Sequence, residues 1–352
     1  GVHGSVIDIK GNEWSKIMKF IKGSIEIKMT GKNARFVNTL RLDNIQCDKD
    51  NCEELYDNAV QGTIDIFTII VKLQENEGNI ADLVTVLETA INKLYSQHDV
   101  VRDNPETFAR TRDFKYSDVI DIVIDLKNTK SFSDAQRHIC GLIQTRSAPF
   151  FVSEGRYADA MKNELTVSEI IESPFVIYNM NKNNAETLST LDDLKIYMSQ
   201  FLDGEKHFLR KQQKLHTAAF YEELQRCGSL STLVRSISAR VTGSRSNNLS
   251  VFLLLNAITT LDSDAFRAIK SNITTKMIGY VEEPDQNKLV EEYGCDDIKS
   301  YMERIRTNEK GYYNNCFAVS FNTGLKRDKV LLKSVVPKEM IEAFNTRDSF
   351  DI

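Results

Sequence analysis

The sequence contains no G-x-x-x-x-G-K-[ST] motif. It therefore lacks the glycine-rich loop that cradles phosphates, and these residues alone are not expected to hold a nucleotide well. It has no run of 18 apolar residues: the longest candidates, Phe67 to Val71 and Val251 to Leu255, have the length of a core strand or helix segment, and neither could span a bilayer. Proline is scarce, with 5 in 352 residues, and glycine is modest at 16. With 41% hydrophobic and 27% charged residues, this composition excludes collagen-like, linker-dominated and disordered chains, and it favours helix. There is no excess of positive charge: 45 basic residues face 50 acidic ones, for a net charge of −5. A protein that coats nucleic acid would be basic, so any nucleic-acid contact must be local. No charged segment leads into an apolar one at the start, so no signal peptide is expected. A start at Gly1 without Met points to a processed form or a fragment.

Cysteines are few and scattered. Of the 6, only Cys47 and Cys52 lie close, as C-x4-C, and the 5 histidines do not cluster with them. Zinc sites want paired short spacings, so the plain reading is reduced thiols.

At about 150 residues per domain, the length suggests two domains or one large one. The first forty residues read as strands and turns, with strand candidates at Ser5 to Ile9 and Ala34 to Asn38. From about residue 53 the period becomes helical. Leu55, Ala59, Thr63, Phe67, Ile70 and Val71 mark one face; Ile80, Leu83, Val84, Leu87, Ala90, Ile91, Leu94 and Tyr95 mark another. Helical patterns continue to about residue 147. After Pro149, apolar strands alternate with helices: strands at Phe175 to Asn179, Thr217 to Tyr221, Val251 to Leu255 and Lys276 to Val281. Between them lie a long polar helix over 187–213 and helices near 229–240 and 262–270. Thr166-x-x-Glu169 is a capping box opening a short helix. Two helices, a hairpin (Phe317 to Phe321 with Val330 to Leu332) and a helix after Pro337 complete the chain. The expected fold class is α/β, a mostly parallel sheet covered by helices with an inserted all-α subdomain. The core would comprise 1–49 and 148–352, and the insert 50–147. Such sheets bind ligands beyond the carboxyl ends of their strands.

Four features could carry chemistry. Glu222-Glu223 follow an apolar strand. In that place one acid can hold the water shell of Mg2+ and the next can polarise an attacking water, although acid pairs also sit at helix starts for the dipole. Arg240 and Arg245 precede the next strand and Asn256 ends it. Such an arginine can reach a phosphate and such an amide can sense one; a solvated loop and a cap are the bland alternatives. Asp8, Lys10 and Gly11 end the first strand in a polar loop, suited either to a phosphate neighbour or to an Asp side chain bonded to its own backbone. Trp14 beside them reads as a packing residue. Lys206, Arg210 and Lys214 stand four apart on one helix face, a phosphate-contacting stripe or a solvated face.

The order of these features resembles the carboxyl-terminal domain of the largest conjugative (type IV secretion) ATPases, in the HerA/FtsK group of RecA-like motors. It runs from the Asp8–Gly11 strand end, through Ala34 to Leu40 and a helical block with Ala90-Ile91-Asn92-Lys93-Leu94-Tyr95, to Phe175 to Asn179, Glu222-Glu223 and the Arg245–Asn256 segment. The likeness covers nearly the whole chain and rests on the series. It implies a RecA-like core, ATP and Mg2+ as cofactors, Glu222 as the Walker B acid and indirect Mg2+ holder, and Glu223 as the catalytic glutamate. Arg240 and Arg245 fall in the segment of the trans-acting arginine, and Asn256 at the sensor position. Asp8, Lys10 and Gly11 would lie near the nucleotide. It also implies assembly into a ring or dimer with secretion-channel components, at the cytoplasmic side of the inner membrane. Glu222 stands where the family usually has Asp, Asn256 where it usually has Gln, and the Walker A segment that would precede Ser5 is missing.

Overall fold

The computed structural model describes residues 2–333 apart from 12–13, 32, 45–46, 183–187, 224–230, 245–246, 256–268, 270–271, 274, 292–297, 306–315 and 323–326. The chain divides into two compact units, 1–219 and 220–352. The main sheet has five strands in the order β2-β5-β1-β6-β7: β1 His3–Asp8, β2 Ile25–Lys28, β5 Phe175–Asn179, β6 Thr217–Glu222 and β7 Leu249–Leu254. Both β1 and β2 run parallel to β5, with Asp8 and Lys28 each opposite Asn179, so three strands end level. Strand β5 is buried along its length, as a parallel strand covered on both faces must be.

Four helices fill the segment between β2 and β5: α1 Cys52–Val71, α2 Ile80–Gln97, α3 Tyr116–Lys127 and α4 Asp134–Phe151. Their inward faces follow the 3.6-residue period. In α2 the buried row is Leu83, Val86, Leu87, Ala90, Ile91, Leu94 and Tyr95. Ile80, read as part of that face, is exposed because it opens the helix beside the Asn79 cap, whose side chain accepts the Asp82 N–H at 2.8 Å. Each buried Leu or Ile contributes about 1.5–3 kcal/mol of hydrophobic stabilisation. Pro149 lies inside α4 and does not end it. It sits in the last turn, where few hydrogen bonds remain to be lost, and its carbonyl accepts the Tyr157 N–H at 2.8 Å.

The strand expected over Ala34 to Asn38 shrinks to β3, Arg35–Phe36, which pairs in parallel with β4, Asn163–Glu164, in a separate two-stranded sheet. The reason lies just downstream. The Asn38 amide donates to the Phe114 carbonyl at 2.7 Å, and the Thr39 N–H donates to the Tyr116 hydroxyl at 2.9 Å. The chain is thereby drawn onto the helices. Helix α5, Thr190–Gln212, follows β5, and α6, Ser231–Gly243, follows β6.

In the second unit β8, Thr275–Ile278, pairs antiparallel with β9, Cys316–Asn322, which pairs antiparallel with β10, Arg327–Lys333. The parallel strand expected at Lys276 to Val281 is therefore corrected. Its exposure alternates, with Met277 open and Ile278 buried, which suits a one-faced antiparallel sheet. Ile278, Leu289, Ile298, Met302, Ile305 and Ala318 form a core cluster with helices α7, Glu283–Glu291, and α8, Ile298–Ile305. The helices expected near 262–270 and after Pro337 lie outside the described residues, apart from Ile269.

Candidate functional site

Strand β6 carries no charge until its last position, Glu222, which is 8% exposed, and Glu223 follows it at 5%. Two carboxylates in so dry a place are costly unless charge or hydrogen bonding compensates them. Glu223 also adopts φ +48°, the left-handed region, which costs a non-glycine residue about 1–2 kcal/mol. Strain of this kind persists where the surrounding structure enforces it, and it clusters at functional sites. Within the same unit, Phe220 stacks on Phe252 of β7 with centroids 4.5 Å apart, and the buried Tyr221 hydroxyl accepts a hydrogen bond from Arg240 of α6 at 2.6 Å. Side chains alternate across a strand, so Phe220 and Glu222 share one face while Tyr221 takes the other. Hard carboxylate oxygens at a strand end suit Mg2+ and its water shell. Arg245 and Asn256 lie outside the described residues.

The end of β1 is built differently. Asp8 is fully buried, and its carboxylate is bonded to its own loop: Oδ1 accepts the Gly11 N–H at 2.7 Å and Oδ2 the Trp14 N–H at 3.3 Å. Its carbonyl accepts Met180 N–H at 2.9 Å, and the Ile9 carbonyl accepts Lys182 N–H at 2.9 Å. Gly11 turns the loop at φ +81°. The Asn179 amide donates to the Gly11 carbonyl at 2.8 Å and to the Glu26 carboxylate. Beside them a cavity of about 460 Å³ is lined by Gly11, Glu26, Lys28, Thr30, Asn179 and Asn181 among others. Lys10 is half-buried and is not part of this lining. Trp14 stacks on Phe175 with centroids 6.2 Å apart, a packing role. Asp8 and Gly11 are legible as site candidates in the sequence, whereas Glu26, Thr30, Asn179 and Asn181 are not. The signal was a polar residue ending each of two short strands, Lys28 after Ile25-Glu26-Ile27 and Asn179 after Phe175 to Tyr178.

Helix α5 overturns the reading of a solvated or phosphate-contacting stripe. Lys206 and Arg210 are buried, and only Lys214 is exposed. The Lys206 ammonium donates to the Ser173 carbonyl at 2.7 Å, and burial pulls its pKa down to about 8. Lys195, also buried, donates to the carbonyls of Arg35 and Ala160, and burial lowers its pKa to about 7. A polar helix sequence here belongs to an interior helix whose charges meet carbonyls and carboxylates, as in the Lys182–Asp192 and Lys72–Asp193 ion pairs at 3.1 and 2.9 Å.

Cys47 is half-buried, and burial beside Cys52 pushes its thiol up to about 11. Among the described residues no three His, Cys, Asp or Glu side chains converge as metal ligands, and no helix is long and apolar enough to cross a membrane.

No family model matches the chain, and no curated protein matches it by sequence. Solved structures do match. VirB4 of Thermoanaerobacter pseudethanolicus superposes with a TM-score of 0.67 at 14% identity, over 97% of this chain and 83% of that one. The chain has the fold of VirB4. Plasmid coupling protein TrwB in complex with ADP and Mg2+ superposes less closely, with a TM-score of 0.50 at 13% identity, over 94% of this chain and 70% of that one. The VirB4 likeness agrees with the RecA-like, mostly parallel α/β fold expected from the order of features in the sequence.

Proposed function

We propose that this chain is the motor part of an ATPase that energises conjugative or type IV secretion. The observation that carries the reading is the buried acid pair Glu222-Glu223, with its left-handed turn, at the end of β6 in a VirB4-like fold. With Mg2+ bound, Glu222 would hold its water shell. Glu223 would accept the proton of the attacking water, Arg245 would supply positive charge to a neighbouring subunit's nucleotide, and Asn256 would read the terminal phosphate. Asp8, Lys10 and Gly11 are proposed as nucleotide-contacting residues. Mg2+, when bound, would neutralise phosphate charge. A TrwB structure that holds ADP and Mg2+ supports both cofactors.

The proposed core is 1–49 with 148–352, and 50–147 is an inserted helical subdomain. The active form is a ring or dimer at the cytoplasmic face of the inner membrane, in contact with channel components. These 352 residues contain no phosphate-binding loop motif, so hydrolysis is assigned to the full-length protein. A DNA translocase is the weaker reading, because Lys206 and Arg210 are buried and unavailable to a phosphate backbone. A scaffold that keeps the fold without hydrolysis is favoured only by the missing motif, and it gives no account of the strained acid pair. The deciding measurement is Mg-dependent ATP turnover by the full-length protein and its Glu223→Gln variant. We expect turnover in the first and a loss of at least 100-fold in the second. Equal turnover in both removes the role of Glu223; no turnover and no ATP binding in either leaves the scaffold.

A further inference from the structure

The family resemblance expects a trans-acting arginine in the segment that carries Arg240 and Arg245, and of the two Arg240 lies within the described residues. Arg240 sits in the last turns of α6, half-buried, and its Nη1 donates at 2.6 Å to the hydroxyl of Tyr221. Tyr221 is itself buried, and it is the residue immediately before Glu222-Glu223. A guanidinium–hydroxyl bond is charge-assisted, and in a dry place it is short and directional. The geometry points to Arg240 as a positioning residue that works within its own chain.

Tyr221 lies on the face of β6 opposite Glu222. On the Glu222 face, Phe220 is fixed by its stack on Phe252, with planes 9° apart. The strand end is thus gripped on both faces one and two residues before the acids: by an aromatic stack on one side and by Arg240 on the other. The next backbone step is the left-handed turn at Glu223. Such a conformation lasts only if the residues before it are held, and an untethered Tyr221 would let the turn relax toward extended backbone. Arg240 therefore sets where Glu222 and Glu223 point, through Tyr221, without touching the reacting atoms. A guanidinium already engaged inside its own fold is also poorly placed to leave for a neighbour. The trans role in this segment then falls to Arg245.

This inference rests on the proposed ATPase reading for its kinetic arm only. The test uses the full-length protein with Arg240→Gln, Arg240→Lys, Tyr221→Phe and the Arg240→Gln/Tyr221→Phe double variant. We expect Arg240→Gln and Tyr221→Phe each to lower kcat about 10-fold with KM for ATP unchanged, and the double variant to be no worse than either. Arg240→Lys should recover part of the loss, since an ammonium can still donate to the hydroxyl. In assemblies mixed from wild-type and Arg240→Gln subunits, activity should fall in proportion to the variant fraction. The shifts in melting temperature should be non-additive in the same way. Full activity in Tyr221→Phe beside a dead Arg240→Gln would overturn the inference, as would a steeper than proportional fall in mixed assemblies. Should the wild type not hydrolyse ATP at all, the ATPase reading fails. The melting-temperature cycle then decides the Arg240–Tyr221 tie alone, and additive shifts would refute it.

Discussion

The ends of β1 and β6 carry the same kind of side chain and use it in opposite ways. At β1, Asp8 is buried and both carboxylate oxygens accept backbone N–H groups of the loop that follows, while Gly11 provides the left-handed turn at no steric cost. Charge and backbone are matched there, and the result is a stable loop. At β6, two glutamates are buried together, and the left-handed position is held by a glutamate. There the backbone is strained and the side chain is kept. One strand end is organised for stability; the other holds a residue where stability alone would choose glycine, as sites retained for chemistry do.

The largest effect that would sharpen this contrast is at Gly11. Its φ of +81° is unsuited to alanine, and an added Cβ would overlap the Asn179 carboxamide oxygen and lie 2.5 Å from the Asn181 Cα. Gly11→Ala should lower stability by at least about 2 kcal/mol in denaturant unfolding. Wild-type stability in that variant would show that the loop is not held as described. Next is Asp8. Asp8→Ala strands the Gly11 N–H and should cost about 1–3 kcal/mol, whereas Asp8→Asn keeps an acceptor and should cost clearly less. Equal losses would mean that charge, not the acceptor, matters at this position. The smallest effect has the opposite sign. Glu223→Gly removes the left-handed penalty and adds chain entropy, so it should stabilise by up to about 1 kcal/mol while removing ATP turnover. A destabilised Glu223→Gly would mean that the glutamate side chain holds the strand end, and the contrast with β1 would disappear.

Much of this architecture can be read from the residue pattern. The period of Leu83, Leu87, Ala90, Ile91 and Leu94 identifies α2, and the runs Phe175 to Asn179 and Thr217 to Tyr221 identify β5 and β6 to within a residue. Strand β2 escaped because Ile25-Glu26-Ile27-Lys28 is only four residues long, too short for a period-2 signal to emerge from its surroundings. With it went Glu26 and Lys28, two of the eight residues that line the cavity at the β1 end. The burial of α5 was illegible for another reason. Lys206, Arg210 and Lys214 look like a solvated face, because periodicity reports polarity and cannot report that a carbonyl waits for the Lys206 ammonium. The left-handed Glu223 has no sequence signal at all, since Glu is rare in that conformation and only the fold imposes it.

The short pairing of β3 with β4 has a consequence for how such a chain can be rebuilt. Arg35–Phe36 and Asn163–Glu164 are where the polypeptide leaves for, and returns from, the four helices, and these two points lie side by side. Lys195 fastens both with one ammonium, through the carbonyls of Arg35 and Ala160. Arg35 adds a second fastening to the Glu164 carbonyl and an ion pair to Glu169. A long excursion whose ends are already joined needs little extra loop-closure entropy to lengthen, shorten or replace. Replacing the helices between these strands is therefore expected to succeed only where the replacement restores the contacts with α5, such as Tyr197 to Asp65 and Asp193 to Lys72.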